Sequence, residues 1–250
     1  MPEFSLESLV SEQSHDLGHD HITPAHVHPK GHLVYPASGV LSMVTDAGSW
    51  IAPSNRAVWI PAGFTHQHRA HGDTDMRIMF IPDDLAGLMP TSPAVLVVTA
   101  LAREAALALT SSKERDYPAR QRLRRVIIDD LTAAEEQPLH LPEPTDERLQ
   151  AVTFLVQHDL TNPATLAHLG KKVGASERTL SRLFHRETGM SFRQWRAQLR
   201  IHHALLLLTE GTSVTDTALA CGWANPSAFI ETFTALVGVT PGHYLRSLSG

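Results

Sequence analysis

The chain is short of several things, and each shortage removes a class of protein. A single cysteine, Cys221, excludes an intramolecular disulfide and a Cys-rich zinc module. No apolar run approaches the roughly 20 residues that cross a bilayer; the longest candidate is Ala204 to Leu208. The opening MPEFSLESLVSEQSHD lacks the basic-then-apolar order of a secretory signal, so a cytoplasmic location and no membrane partner are expected. Cations are scarce over residues 1–90, with 4 Lys and Arg against 10 Asp and Glu, and absent between Ile201 and Leu245. What remains, 250 residues with 42% hydrophobic and 19% charged side chains, is enough for two globular domains.

The formal charge of -5 is unevenly spread: -6 over residues 1–90, -3 over 91–161 and +4 over 162–250. An acidic body with a basic end suits nucleic-acid contact at that end alone. Histidine is distributed the other way. Nine of the 16 lie within residues 1–71, which directs a search for metal or acid–base chemistry to the N-terminal third.

Residues 22–82 read as β structure, with short Val, Ile, Trp and Phe runs broken by Asp46-Ala47-Gly48 and Pro61-Ala62-Gly63. That spacing predicts a small antiparallel barrel or sandwich. From Ala94 the period becomes helical (Val95, Val98, Leu101, Ala102, Ala105, Leu109), and a second helix is predicted from about Ala119 to Glu136. Three prolines within residues 137–144 mark a linker. The expected organisation is therefore α+β multidomain: a β-barrel over 1–92, a helical segment over 93–137 that can pack on it or on a partner subunit, a linker over 138–145, and an all-α domain over 146–250 whose basic charge suits DNA.

Within that last domain, Ala164 to Val173, Gly174-Ala175-Ser176 and Glu177 to Thr188 give helix, tight turn, helix. Leu180, Leu183 and Phe184 face a core, leaving Arg178, Thr179, Arg182 and His185 outward. After a long helix from Ser191 to about Leu208, a second copy follows: Val214 to Cys221, Gly222-Trp223-Ala224-Asn225, Ser227 to Val237. Two such units on a rigid helix can enter successive major grooves roughly 34 Å apart. The run from Phe184 through RETGMSFRQWRAQLRIHHALLLL, then ALACGWANPSAFIETFTALVGVTPGHYLR, resembles the signature of the AraC/XylS family of bacterial transcription regulators. The resemblance implies a double-stranded DNA operator, RNA polymerase and a homodimer as partners, and no enzymatic activity. It puts base-reading positions on Arg178, Thr179, Ser181 and Arg182, with His185 and Arg186 nearer phosphates. In the second unit it points to Pro226, Ser227 and Glu231, with Asn225 available beside them. Without cations the second unit is expected to grip weakly, and the first to carry most specificity.

In the N-terminal third, His26 and His28, two apart on a strand, project to one face, and a neighbouring strand can bring His66 opposite. Neutral imidazoles suit zinc, nickel, copper or iron. The stretches HVHPKGHLVYPASG (26–39) and PAGFTH (61–66) also resemble the two short motifs of the cupin barrel found in sensor domains of AraC-type regulators. His26, His28, Gly39, Pro61, Gly63 and His66 match, and His32 stands where those motifs place a metal-binding glutamate. The resemblance implies His26, His28, His32 and His66 as ligands of a divalent ion (Ni, Zn, Co or Cu). His68, in phase with His66, can substitute for one of these ligands or support one, and His71 is less well placed; the competing reading is an organic-effector pocket lined by Tyr35, Trp50, Trp59, Phe64 and His68. Two other functions stay open: a metal-dependent cupin enzyme fused to a DNA-binding domain, and a constitutive activator with a purely structural barrel.

Overall fold

A computed structural model describes residues 12–45, 48–113, 115–133 and 139–248. The chain divides into two compact units, residues 1–45 with 50–137 and residues 46–49 with 138–250.

In the first unit, strands β1 (Gln13–Leu17), β2 (Ile22–His26), β3 (His32–Thr45), β4 (Gly48–Pro53), β5 (Arg56–Ile60), β6 (His66–Phe80) and β7 (Ala94–Val97) form one sheet. The long antiparallel pair β3·β6 is its spine. β1 and β2 pair with the far edge of β6, β4 and β5 with β3, and β7 with β5. The antiparallel β domain expected from the sequence is present, but among the described strands the pairing does not return on itself. It is an open sheet rather than a closed barrel, because β7, only four residues long, pairs with β5 alone.

Alternation along the strands divides the sheet's two faces. Leu33 and Tyr35 of β3, Ala57 and Trp59 of β5 and Met79 of β6 pack with helices α2 (Ala100–Thr110) and α3 (Tyr117–Ala133), which follow the single turn α1 (Asp83–Ala86). His32 and Val34 fall on the opposite face. The helical period begins later than the sequence suggests: Ala94 to Val97 is strand β7, and α2 starts only after Thr99, whose hydroxyl caps the Ala102 N–H. Four successive apolar residues satisfy a strand as well as a helix, and pairing with β5 decides between them. The stripes on these helices are covered within the subunit: Ala102, Ala105, Leu109, Ile127, Ile128 and Leu131 are buried, whereas Leu101 is 60% exposed. A charge at Leu109 would disrupt this core and report nothing about a second subunit. Residues 134–138, the predicted end of the second helix and the start of the linker, lie outside the described residues.

The second unit opens on strand β8 (His140–Pro142), so the proline-rich stretch is not a free connector; Leu139 and Leu141 are buried. Helices α4 (Glu147–His158), α5 (Leu166–Lys172), α6 (Glu177–Thr188), α7 (Phe192–Thr209), α8 (Val214–Ala220), α9 (Pro226–Val237) and α10 (Pro241–Leu248) follow. Leu141, Leu149, Val152, Leu180, Phe184, Trp195 and Leu199 share one core. Near the far end of α7, Phe229 and Phe233 of α9 are fully buried, and Phe233 stacks toward Tyr244 of α10. None of the described helices is long and apolar enough to cross a membrane.

Gly222, between α8 and α9, has φ +78°, and a Cβ there would stand 2.4 Å from the Leu160 carbonyl oxygen. Gly222→Ala is therefore expected to destabilise this unit by about 2 kcal/mol or more. Urea unfolding of the full chain, followed by circular dichroism at the helix band, checks this; an unchanged midpoint would contradict it.

Candidate metal centre and nucleic-acid interface

The histidines converge through strand register. β2 pairs with β6 so that His26 lies opposite His66, and a bulge after Thr23 precedes that pair. His28 lies just past the end of β2, in a loop rather than on the strand as expected. The turn Pro61-Ala62-Gly63 holds that loop: the Gly63 N–H donates to the His28 carbonyl at 3.0 Å, and Gly63 has φ +80°, a conformation that favours glycine. The same turn leads the chain into β6 and His66. His32, the first residue of β3, sits between Ile60 and Phe80 in the sheet register.

Ring centroids are 4.8 Å apart for His26 and His28, 4.3 Å for His26 and His66, 4.6 Å for His28 and His32, and 4.9 Å for His32 and His66. The register thus brings all four expected ligands together. His32 and His66 are 1% exposed, and the His28 Nδ1, His32 Nδ1 and His66 Nε2 atoms are buried without a hydrogen-bond partner. Orphaned buried polar atoms cost about 1–3 kcal/mol each, and a divalent ion would satisfy several at once.

Two carbonyls orient this set, and the sequence reading missed both. His26 Nδ1 donates to Pro24 O at 2.8 Å and His66 Nδ1 to Phe64 O at 2.9 Å, each two residues back along the chain. Both imidazoles are thereby fixed with the Nε2 lone pair free, as metal-ligating histidines usually are. Burial pushes the His66 imidazole down to about 4 and holds His32 well below its ordinary value, with His66 and His28 adding to the effect on His32. His32 and His66 are therefore neutral near pH 7, the form that ligates. His28, His32 and His66 offer ligand atoms within 4.8 Å of one another. Metal–nitrogen bonds of about 2.0–2.1 Å would need these atoms drawn inward by roughly 1 Å.

The residues considered for an organic pocket do not gather. Tyr35 and Trp59 belong to the face that packs on α2 and α3; the Tyr35 hydroxyl donates to Ser54 O and the Trp59 indole N–H to Pro90 O. Trp50 is buried and Phe64 half-buried, while His68 lies among the histidines, 5.8 Å from His26 by ring centroids.

In the second unit, α5, the turn at Gly174 and α6 form the first helix-turn-helix. Ser176 caps α6 by accepting the Thr179 N–H at 3.1 Å, and the Thr179 hydroxyl is bonded to Ser176 Oγ. Leu180, Leu183 and Phe184 are buried, which turns Arg178, Arg182, His185 and Arg186 outward, with Ser181 half-buried beside them. Among the described residues neither Arg178 nor Arg182 has an ion-pair partner, whereas Arg186 reaches Glu187 at 2.7 Å. In the second helix-turn-helix motif Ser227 and Glu231 are exposed on α9, with Pro226 at its first turn. Asn225 is the helix cap: its Oδ1 accepts the Ala228 N–H at 2.9 Å, which leaves its amide nitrogen and one lone pair of that oxygen for another partner. Within this unit, helix α7, 18 residues and roughly 27 Å long, joins the two helix-turn-helix motifs.

Two helix-turn-helix units joined by one helix define a DNA-binding protein, and comparison with known proteins identifies its kind. Residues 169–247 match the family described as a helix-turn-helix domain. The HTH-type transcriptional regulator NimR of Escherichia coli is 34% identical over 238 residues, spanning 93% of this chain and 86% of its own. The HTH-type transcriptional activator RhaR of Klebsiella pneumoniae is 31% identical over 48% of this chain and 40% of its own. A structure of ToxT from Vibrio cholerae aligns over 96% of this chain and 100% of its own, at 14% identity and a TM-score of 0.42. The chain belongs to the AraC/XylS family of helix-turn-helix transcription regulators.

Proposed function

We propose that this regulator adjusts its operator binding in response to one divalent transition-metal ion (Ni, Zn, Co or Cu) held by His26, His28, His32 and His66. The observation that carries the reading is the set of buried ring nitrogens with no partner on His28, His32 and His66, beside the His26 and His66 rings whose tautomers the Pro24 and Phe64 carbonyls fix. The donor set is all imidazole, which suits these ions and fits poorly with iron–oxygen chemistry, where two histidines and a carboxylate are preferred. That the similar proteins are transcription regulators supports a regulatory rather than an enzymatic β domain. An organic effector between Tyr35 and Trp59 is disfavoured, since both side chains are committed to the core.

In this reading Arg178, Thr179, Ser181 and Arg182 read bases, His185 and Arg186 approach phosphates, and Asn225, Ser227 and Glu231 make the lesser contacts of the second motif. Operator DNA, RNA polymerase and a second copy of the chain are the partners, in the cytoplasm. The ion can shift DNA binding only if it favours one of two states of the protein. Metal-free full-length protein, titrated with each ion by calorimetry at pH 7.5 while operator affinity is followed in parallel, tests the reading. One equivalent taken up with a changed operator affinity is expected. No uptake overturns the metal role, and uptake that leaves DNA affinity unchanged makes the ion structural.

A further inference from the structure

Five imidazoles gather on one face of the β domain, and the reading above uses four. The fifth, His68, lies two residues beyond His66 on β6, so both side chains project to the same side. It is 3% exposed, and neither of its ring nitrogens has a hydrogen-bond partner. A neutral imidazole always carries one N–H and one lone pair, so both are unmet here, which is rare for a buried polar group. Three residues on, His71 shows the ordinary solution: its Nε2 meets the Ser42 hydroxyl at 2.8 Å.

The ring positions explain what His68 is near. His66 is central, with centroid distances of 4.3 Å to His26, 4.9 Å to His32, 5.5 Å to His28 and 6.4 Å to His68. Two trios each have their ligand atoms within 4.8 Å of one another: His28, His32 and His66 on one side, His26, His66 and His68 on the other. His66 belongs to both. Its Nδ1 is committed to the Phe64 carbonyl, so only Nε2 can ligate, and one imidazole nitrogen bonds one ion at a time. The two positions overlap and exclude each other.

We propose that the cluster is a two-position site for a single divalent transition-metal ion, and that His68 is a ligand in the second position together with His26 and His66. This rests on the metal-binding reading of the cluster and divides its four ligands, His28, His32 and His66 holding the first position while His26 serves the second. Its consequence is an asymmetry among the histidines: removing His32 or His68 leaves one position usable, whereas removing both degrades the two together.

The test uses metal-free full-length protein titrated with cobalt(II) chloride, whose visible absorption reports coordination. Wild type, His32→Gln, His68→Gln and the double variant are compared, each checked for fold by circular dichroism. Each single variant is expected to bind one equivalent with affinity reduced by about tenfold, and the two spectra should differ from each other and from wild type. The double variant should bind at least about 100-fold more weakly than wild type. If His68→Gln matches wild type in affinity and spectrum, and the double variant matches His32→Gln, His68 is not a ligand and the proposal fails while the four-histidine reading stands. If wild type binds no cobalt, both fall. Should His68→Gln lose the fold, His68→Asn, a shorter amide, repeats the comparison with the same deciding outcomes.

Discussion

Replacing His66 with glutamine is expected to abolish stoichiometric uptake of zinc, nickel, cobalt or copper, with affinity falling by about 100-fold or more, since losing a direct ligand exceeds the 10–100-fold cost of disturbing a supporting group. The reason is positional. His66 Nε2 is buried without a partner, and its ring lies within 5.5 Å of those of His26, His28 and His32. No other imidazole occupies that centre. Calorimetry on metal-free wild type and variant at pH 7.5 checks it, with His140 replaced as a control in the other unit. Equal uptake by His66→Gln would remove the metal role from the cluster.

The same measurement has a pH signature. An ordinary histidine near 6.5 would lose its metal to protons as the pH fell through that value. Burial depresses His66 to about 4 and also lowers His28 and His32. Lowered values mean that these three imidazoles take up protons only below the ordinary value, in more acid solution. Uptake by wild type should therefore persist as the pH falls from 7.5 through 6 and fail closer to 4, where His66 titrates.

Arg182→Ala is expected to weaken operator binding by about 1–3 kcal/mol, or roughly 5- to 150-fold, and to relax preference at one base pair. Arg178, Arg182 and His185 recur at i, i+4 and i+7 on α6, opposite the buried Leu180, Leu183 and Phe184. The Arg182 guanidinium is exposed and unpaired among the described residues, so its two parallel N–H groups are free to bond guanine O6 and N7. Lys171 and Lys172, exposed on the last turn of α5, provide the contrast. Their replacement by alanine should weaken all sequences alike and lower the salt slope, as phosphate contacts do. Binding-site selection followed by titration at two salt concentrations separates the cases. An Arg182 variant with unchanged base preference would displace it from the reading position.

The second helix-turn-helix shows how far one sequence can be read. Its turn glycine, inward phenylalanines and lack of cations are legible as written, and the structure places Phe229 and Phe233 in the core accordingly. Asn225 is different. A polar residue before a proline reads equally as a cap or as a contact, and only the coordinates show its carbonyl oxygen held by the Ala228 N–H.

By itself the sequence determined the β-then-α order, the two helix-turn-helix units and their outward residues, because helical period and turn glycines are local properties that neighbours a few residues apart enforce. It also named the four histidines, through two short motifs. The tertiary structure decided what depends on partners far along the chain. Pairing of β7 with β5 turned an apparent helix start into a strand. Packing of α2 and α3 on the sheet covered stripes that looked free and drew Tyr35 and Trp59 into that core. The register of β2 against β6 set His26 opposite His66, and it brought His68, which the sequence already placed in phase with His66, within ring distance of His26. Register is fixed by which face each strand buries, and a shift of one residue would have turned every one of these side chains to the other face.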